Sequence, residues 1–320
     1  MPHLKDSTYS PSILFKNGHL NTIYRVGFGA SEANYVRKRV ELKDGDFIDL
    51  DFSTVTSKKI VVITHGLEGS SNSTYVISLT EILNNNGYDT VAINLRGCSG
   101  EPNRLLSSYH SGKTEDLDEV IQYIQSNYSY SEINLVGYSL GGNLTLKYIG
   151  EAERKHIHCA VAISVPCDLK STALKMNTFS NRMYLKRFLK TLKKKAYQKV
   201  EQFPDSFLTK ETIANLKNFK DFDDFYTAPA HHFKDAEDYW LKASCQQFIP
   251  SIKTNSLLIN ALDDPFLTKD SFPIKEATNN AYFHLETPKY GGHVGFVSYL
   301  NITKLRWCEN RILSFLEKGH

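Results

Sequence analysis

Two kinds of hydrophobic run alternate along this chain. The first is short, rich in β-branched residues and apolar at consecutive positions: Lys59 to Thr64 (KIVVIT), Thr90 to Asn94 (TVAIN), Ile133 to Gly137 (INLVG), Cys159 to Val165 (CAVAISV) and Ser256 to Asn260 (SLLIN). A strand covered on both faces reads in this way, because neither side of its pleat meets water. The second kind repeats at the helical period, over Tyr75 to Asn85, Thr114 to Ser126 and Leu140 to Glu153. Thr114 and Asp116 are placed to cap and charge the start of the middle helix. Strands and helices in this alternation predict an α/β fold, a mostly parallel sheet with helices on both faces. Asn34 to Leu42 and Phe47 to Phe52 flank Lys-Asp-Gly-Asp, a hairpin signal that predicts an antiparallel pair at the start of the sheet. A last helix is expected over Tyr299 to Glu317.

The alternation lapses between about Leu169 and Pro250. Helical patterns broken by Pro204, Pro229 and Pro250 fill this stretch without a buried strand, and it carries nine of the eighteen phenylalanines. The expectation is a helical cap over 169–250, inserted in a single α/β domain that spans 1–320. Rings that the main core cannot take must form a small core of their own or line an apolar ligand site.

Composition narrows the field. At 320 residues, with 41% hydrophobic and 23% charged positions, the chain is an ordinary globular one. Thirty-eight Lys and Arg against 35 Asp and Glu leave a formal charge of +3, too small an excess to predict a nucleic-acid partner. Five cysteines with no Cys-x-x-Cys pair fit neither a disulfide framework nor a zinc site. The opening MPHLKDSTYSPSILF has no apolar core of a signal peptide, so a cytoplasmic location is expected. No metal or organic cofactor is called for.

The chemistry begins at Gly137-Tyr138-Ser139-Leu140-Gly141, where INLVG ends and a helical run begins. A serine on a sharp strand-to-helix turn is backed by the amides of the new helix, and its crowded turn needs glycine two residues to either side. A serine hydroxyl is a weak nucleophile, so this reading requires a histidine base and a carboxylate to orient it. His293 lies in the flexible Lys289-Tyr290-Gly291-Gly292 loop, past the strand-like AYFHLET that holds His284. Asp264 follows the run Leu257 to Leu262 and is stiffened by Pro265; Asp263 and Asp168 also end buried runs and stay open as the acid. His65-Gly66-Leu67-Glu68-Gly69 follows KIVVIT, where the Leu67 amide can join that of Leu140 in an oxyanion hole. His110, after TVAIN, could line the pocket.

The blocks HGLEGSS, NLRGCSGEPN, YHSGKTEDL, GYSLGGNLTLKYIGE and NALDDPF, with the early NGHLNTIY, run in one order from Phe15 onward. They resemble the YheT-like esterase branch of the α/β-hydrolase superfamily, which also holds membrane-anchored mammalian members. The resemblance implies the α/β-hydrolase fold, a helical cap and activity on carboxylic esters, of acyl or lipid type. It also implies Ser139 as nucleophile, Asp264 as acid and His293 as base. This sequence differs from the anchored members in lacking an apolar N-terminal span.

The expectation is therefore a serine hydrolase that forms an acyl-enzyme on Ser139. Two other readings stand beside it: an acyltransferase with the same triad, and a non-catalytic binder of an apolar ligand. The expected partner is a small ester or lipid, with no nucleic acid. Arg182 to Lys199 sets an apolar stripe against eight cations, and any membrane contact is expected to be peripheral and through this helix.

Overall fold

Runs that are apolar at every position pair side by side, because only a sheet interior hides both faces of such a strand. The computed structural model describes residues 3–4, 6–27, 33–300 and 306–319. Its strands are β1 (His3–Leu4), β2 (Val36–Glu41), β3 (Phe47–Ser53), β4 (Lys59–Thr64), β5 (Asp89–Asn94), β6 (Glu132–Tyr138), β7 (Ile157–Ile163), β8 (Asn255–Ile259) and β9 (Phe283–Glu286). They form one sheet in the order β1-β9-β8-β7-β6-β4-β5-β3-β2. β3 pairs antiparallel with β2 and β5, and the remaining pairs are parallel. The hairpin over Asp44 and Gly45 is present, with Gly45 at φ +86°.

The strand residues divide by parity between two cores. Ile60, Val62, Leu135, Ala160 and Leu258 face one side, with α3 (Thr114–Asn127) and α4 (Leu140–Glu151). Val61, Ile63, Val136, Val161 and Leu257 face the other, with α2 (Thr74–Asn85) and the C-terminal helix Trp307–Lys318. An early helix, α1 (Gly18–Gly27), adds to the second side.

Between β7 and β8 the chain holds helices joined by short turns and no strand, beginning with α5 (Leu169–Lys175) and the long α6 (Arg182–Gln202). Tyr184, Leu185, Leu189, Leu192 and Ala196 of α6 bury against Leu208, Ile213, Leu216, Phe222 and Tyr226, with Phe266 joining from outside the segment. The phenylalanines of the segment do not share one fate: Phe179, Phe207 and Phe225 are exposed. Phe222 is buried in this small core, Phe188 and Phe219 pack at its edge, and all three line a cavity beneath it.

Two local expectations are corrected. Thr114 does not cap α3: Lys113 occupies that position, and the Thr114 hydroxyl instead donates to Glu151 Oε2 at 2.6 Å. Asp116 does lie in the first turn of α3, as expected, where it is buried and chelated by Arg96 at 2.6 and 2.7 Å. The last helix starts at Trp307 rather than Tyr299. Tyr299 and Leu300 form a bend, and positions 301–305 of the expected helix lie outside the described residues.

One buried ion pair ties three helices together. Arg25 of α1 donates to Glu309 of the C-terminal helix, and Ser78 of α2 donates to the same carboxylate oxygen at 2.6 Å. Burial works to raise the Glu309 carboxyl, but Arg25 and Ser78 outweigh it and hold the group below its ordinary range. Removing one partner strands a charge in the interior. Glu309→Leu is expected to cost about 3 to 5 kcal/mol in denaturant unfolding. Adding Arg25→Met to that variant should recover most of the loss; a double variant as weak as the single one would show that packing, not charge, sets the cost.

Candidate active site

In a parallel sheet every strand ends on the same edge, so the loops that leave neighbouring strands converge. Here β9, β8, β7, β6 and β4 lie in that spatial order, and the loops after them carry His293, Asp264, Ser164, Ser139 and Leu67. Two main-chain bonds step across the edge: Ser139 N–H donates to Ile163 O and Ser164 N–H to Ile259 O, each at 2.8 Å.

Ser139 sits at φ +52° and ψ −116°, a costly conformation for a residue with a Cβ. It turns β6 straight into α4. A Cβ on Gly137 would lie 2.3 Å from Gly141 O, and one on Gly141 would lie 2.4 Å from Thr64 O. Both glycines are thus required by close backbone approach. His293 Nε2 lies 2.9 Å from Ser139 Oγ, and its Nδ1 lies 2.8 Å from Asp264 Oδ2. A carboxylate can only accept, so Nδ1 carries the ring proton and Nε2 is left to accept from the serine. Asp264 Oδ1 accepts from Phe266 N–H at 2.8 Å, and the Phe266 ring packs on the imidazole with centroids 4.2 Å apart.

The other two acid candidates do different work. Asp168 caps α5, accepting from Ser171 N–H at 2.6 Å, and is not part of this chain of bonds. Asp263 accepts from Gly292 N–H at 2.9 Å, and burial pushes its carboxyl up.

The histidine loop is held at three consecutive amides. Gly292 N–H donates to Asp263, His293 N–H to Thr22 Oγ1 at 2.8 Å, and Val294 N–H to Ser164 Oγ at 2.9 Å. Asn21 Oδ1 then takes Val297 N–H at 2.9 Å. Thr22 and Asn21 belong to the early NGHLNTIY block, whose role sequence reasoning did not reach. The sequence marked that block only as one of those that carry the family resemblance.

The loop after β4 approaches the serine from the opposite side. A Cβ on Gly66 would lie 3.2 Å from Ser139 Cβ, so this loop runs close beside the serine. Tyr75 OH accepts from Gly66 N–H at 3.0 Å. Tyr109 OH accepts from Glu68 N–H at 2.9 Å and donates to Glu68 Oε1 at 2.8 Å. Lys195 of α6 reaches the same carboxylate at 2.8 Å, coupling the helical segment to this loop. Among the described residues, the Leu67 and Leu140 amides donate to nothing.

Above the serine lies a cavity of about 1040 Å³, lined by Ser139 and His293 together with Leu169, Met176, Leu192 and Phe222. His110 also lines it and stacks edge-on against His231 at 4.5 Å. Among the described residues no group of three or more His, Cys, Asp or Glu could hold a metal ion. The five cysteines are unpaired, and no helix among the described residues is long and apolar enough to cross a membrane.

Residues 59–297 match a family model described as the alpha/beta hydrolase fold. The chain is 33% identical over 309 residues to YheT of Escherichia coli, which carries an esterase name, covering 94% of this chain and 91% of that protein. Human phospholipase ABHD3 is 26% identical, over 91% of this chain and 74% of its own. The monoacylglycerol lipase of Saccharomyces cerevisiae is 28% identical, over 82% and 60%. The Pyrococcus furiosus esterase Pf2001 shares the fold at a TM-score of 0.60 and 18% identity, covering 89% and 91% of the two chains.

His65 begins the loop beside the serine. It accepts from Leu95 N–H at Nε2 and donates from Nδ1 to Gly66 O at 2.7 Å. Burial pushes it down to about 4, so the fold holds it neutral. An unfolded histidine takes its proton near about 6.5. The unfolded chain thus binds the extra proton between these values, and stability present above the upper one is lost as pH falls toward the lower one. Between about pH 7 and about pH 5, His65→Gln should lose about 2 kcal/mol less than the wild type in denaturant unfolding. Equal losses would remove His65 from the pH response.

Proposed function

Since the chain belongs to the α/β-hydrolase fold family, in its YheT-like branch, we propose that it hydrolyses carboxylic esters through an acyl-enzyme on Ser139. The observation that carries this reading is the unbroken hydrogen-bond chain from Asp264 Oδ2 through His293 to Ser139 Oγ, at 2.8 and 2.9 Å.

As Ser139 Oγ attacks the ester carbonyl, its proton passes to His293 Nε2. Asp264 keeps the ring in the tautomer that can accept and stabilises the imidazolium that forms. The carbonyl oxygen gains negative charge in the tetrahedral intermediate, between the amides of Leu67 and Leu140. Collapse expels the alcohol, which takes the proton back from His293, and leaves the acyl group on Ser139. A water then gives its proton to His293, adds to the acyl carbonyl, and a second collapse releases the acid and restores the serine.

The cavity supports a narrower reading of the substrate. Its apolar lining and its volume of about 1040 Å³ suit an acyl ester with a substantial hydrocarbon chain. The lipase and phospholipase names of two relatives agree with a lipid ester.

Hydrolysis of p-nitrophenyl esters of increasing acyl length tests this. The wild type should turn them over with a preference for chains longer than acetyl. Ser139→Ala should cost at least about a thousandfold in kcat, and a variant within a few-fold of the wild type would overturn the mechanism. A second series tests the histidine loop. Thr22→Val leaves the His293 N–H unpaired and should lower kcat about tenfold with little change in KM, whereas Thr22→Ser keeps the acceptor and the rate. An unaltered kcat in Thr22→Val would show that the loop is held without that bond.

A further inference from the structure

The outer face of α6 combines two features that its buried face does not explain. Arg182, Met183, Lys186, Arg187, Lys190, Thr191 and Lys194 are exposed along one side of the helix, about 30 Å long at its pitch. None of the five cations in this group has a carboxylate within ion-pairing distance among the described residues, although Lys195 and Lys199 of the same helix are both engaged. Glu201, at the far end, is the single acid in α6. Five cations without a carboxylate partner along one helix face make a locally positive surface.

Apolar side chains lie at the start of this row. Phe179, one turn ahead of the helix, is 89% exposed, Met183 is 62% exposed, and Leu174 at the end of α5 is 49% exposed. A water-facing phenylalanine on a short turn gains nothing from its own fold. Met183, Arg187 and Lys194 also line the cavity above Ser139, as does the exposed Ile23 of α1. Part of this face, Met183, Arg187 and Lys194, therefore belongs to the wall of the cavity that holds the serine, and Phe179, Arg182, Lys186 and Lys190 continue it outward.

We propose that this face docks on an anionic phospholipid bilayer. α6 lies flat, its cations meet lipid phosphates, and Phe179 and Met183 enter the headgroup boundary beside the cavity. A helix with eight cations cannot span the bilayer, and it has the composition of one that rests on it. Nucleic acid would meet the cations but leave the apolar side chains in water, so the pairing of the two favours a lipid surface. The docking does not depend on the hydrolytic reading.

The test is co-sedimentation of the Ser139→Ala protein with vesicles, which separates binding from turnover. Vesicles of phosphatidylcholine with about one third phosphatidylglycerol should bind at least about tenfold more tightly than phosphatidylcholine alone, and most of that binding should vanish when salt is raised from about 0.1 M to about 0.5 M. The variant Arg182→Glu/Lys186→Glu/Lys190→Glu should lose at least about tenfold in binding. Circular dichroism melting checks that it is folded. Phe179→Asp, at a site 89% exposed, should independently weaken binding severalfold at either salt concentration. Equal binding to the two vesicle types, or wild-type binding by both variants, would overturn the proposal. Displacement from vesicles by a short single-stranded oligonucleotide, with Phe179→Asp unimpaired, would do so too, because the face would then be a general anion surface.

Discussion

A hydrogen bond between an imidazole and a serine hydroxyl tolerates only a few tenths of an ångström, and in this protein its two residues are 154 positions apart. The constraint that makes it possible is the shared direction of the strands. Five neighbouring parallel strands end at one edge, so groups far apart in the chain, from Leu67 to His293, need only short loops to meet. Chain order and spatial order differ, but strand direction does not. Much of the remaining structure can be understood as holding this edge still.

That holding is paid in backbone strain. Of the seven non-glycine residues with positive φ among the described residues, five lie in this neighbourhood: Glu68, Ser139, Ser164, Val294 and Phe296. Conformations of this kind persist only where surrounding bonds over-determine them. The bonds are present at each one. Glu68 is gripped through both its amide and its carboxylate, Ser139 and Ser164 donate across the strand ends, and Val294 donates to Ser164. The Arg25–Glu309 pair extends the same support outward, since it anchors the helix whose Thr22 holds the histidine loop. Ligand access and rigidity meet at α6, which roofs the cavity and reaches the loop after β4 through Lys195.

The sheet was largely legible because strands buried on both faces leave a continuous apolar signature, as in KIVVIT and INLVG. The serine turn was legible because close packing leaves glycines at fixed spacing, and the Asp263-Asp264 pair because it directly follows a buried run. Thr114 misled because a threonine at a helix start satisfies the capping pattern, yet a carboxylate from another helix, Glu151, competes for its hydroxyl. The roles of Asn21, Thr22 and Ser164 left no local trace. Each acts by accepting an amide from a loop more than a hundred residues away, and nothing in the surrounding pattern marks an acceptor whose partner is supplied by tertiary structure. Asp263 and Asp264 are adjacent and chemically alike, so only the geometry separates the one that meets the imidazole from the one that meets the Gly292 amide.

The central claim is that Ser139 is made nucleophilic by His293, and the most direct measurement is covalent labelling with a fluorophosphonate followed by peptide mass spectrometry. The account predicts a single rapid adduct on Ser139 in the wild type, slowed by orders of magnitude in a folded His293→Ala protein. An unlabelled wild type, an adduct on another residue, or labelling equally fast without the imidazole would contradict it.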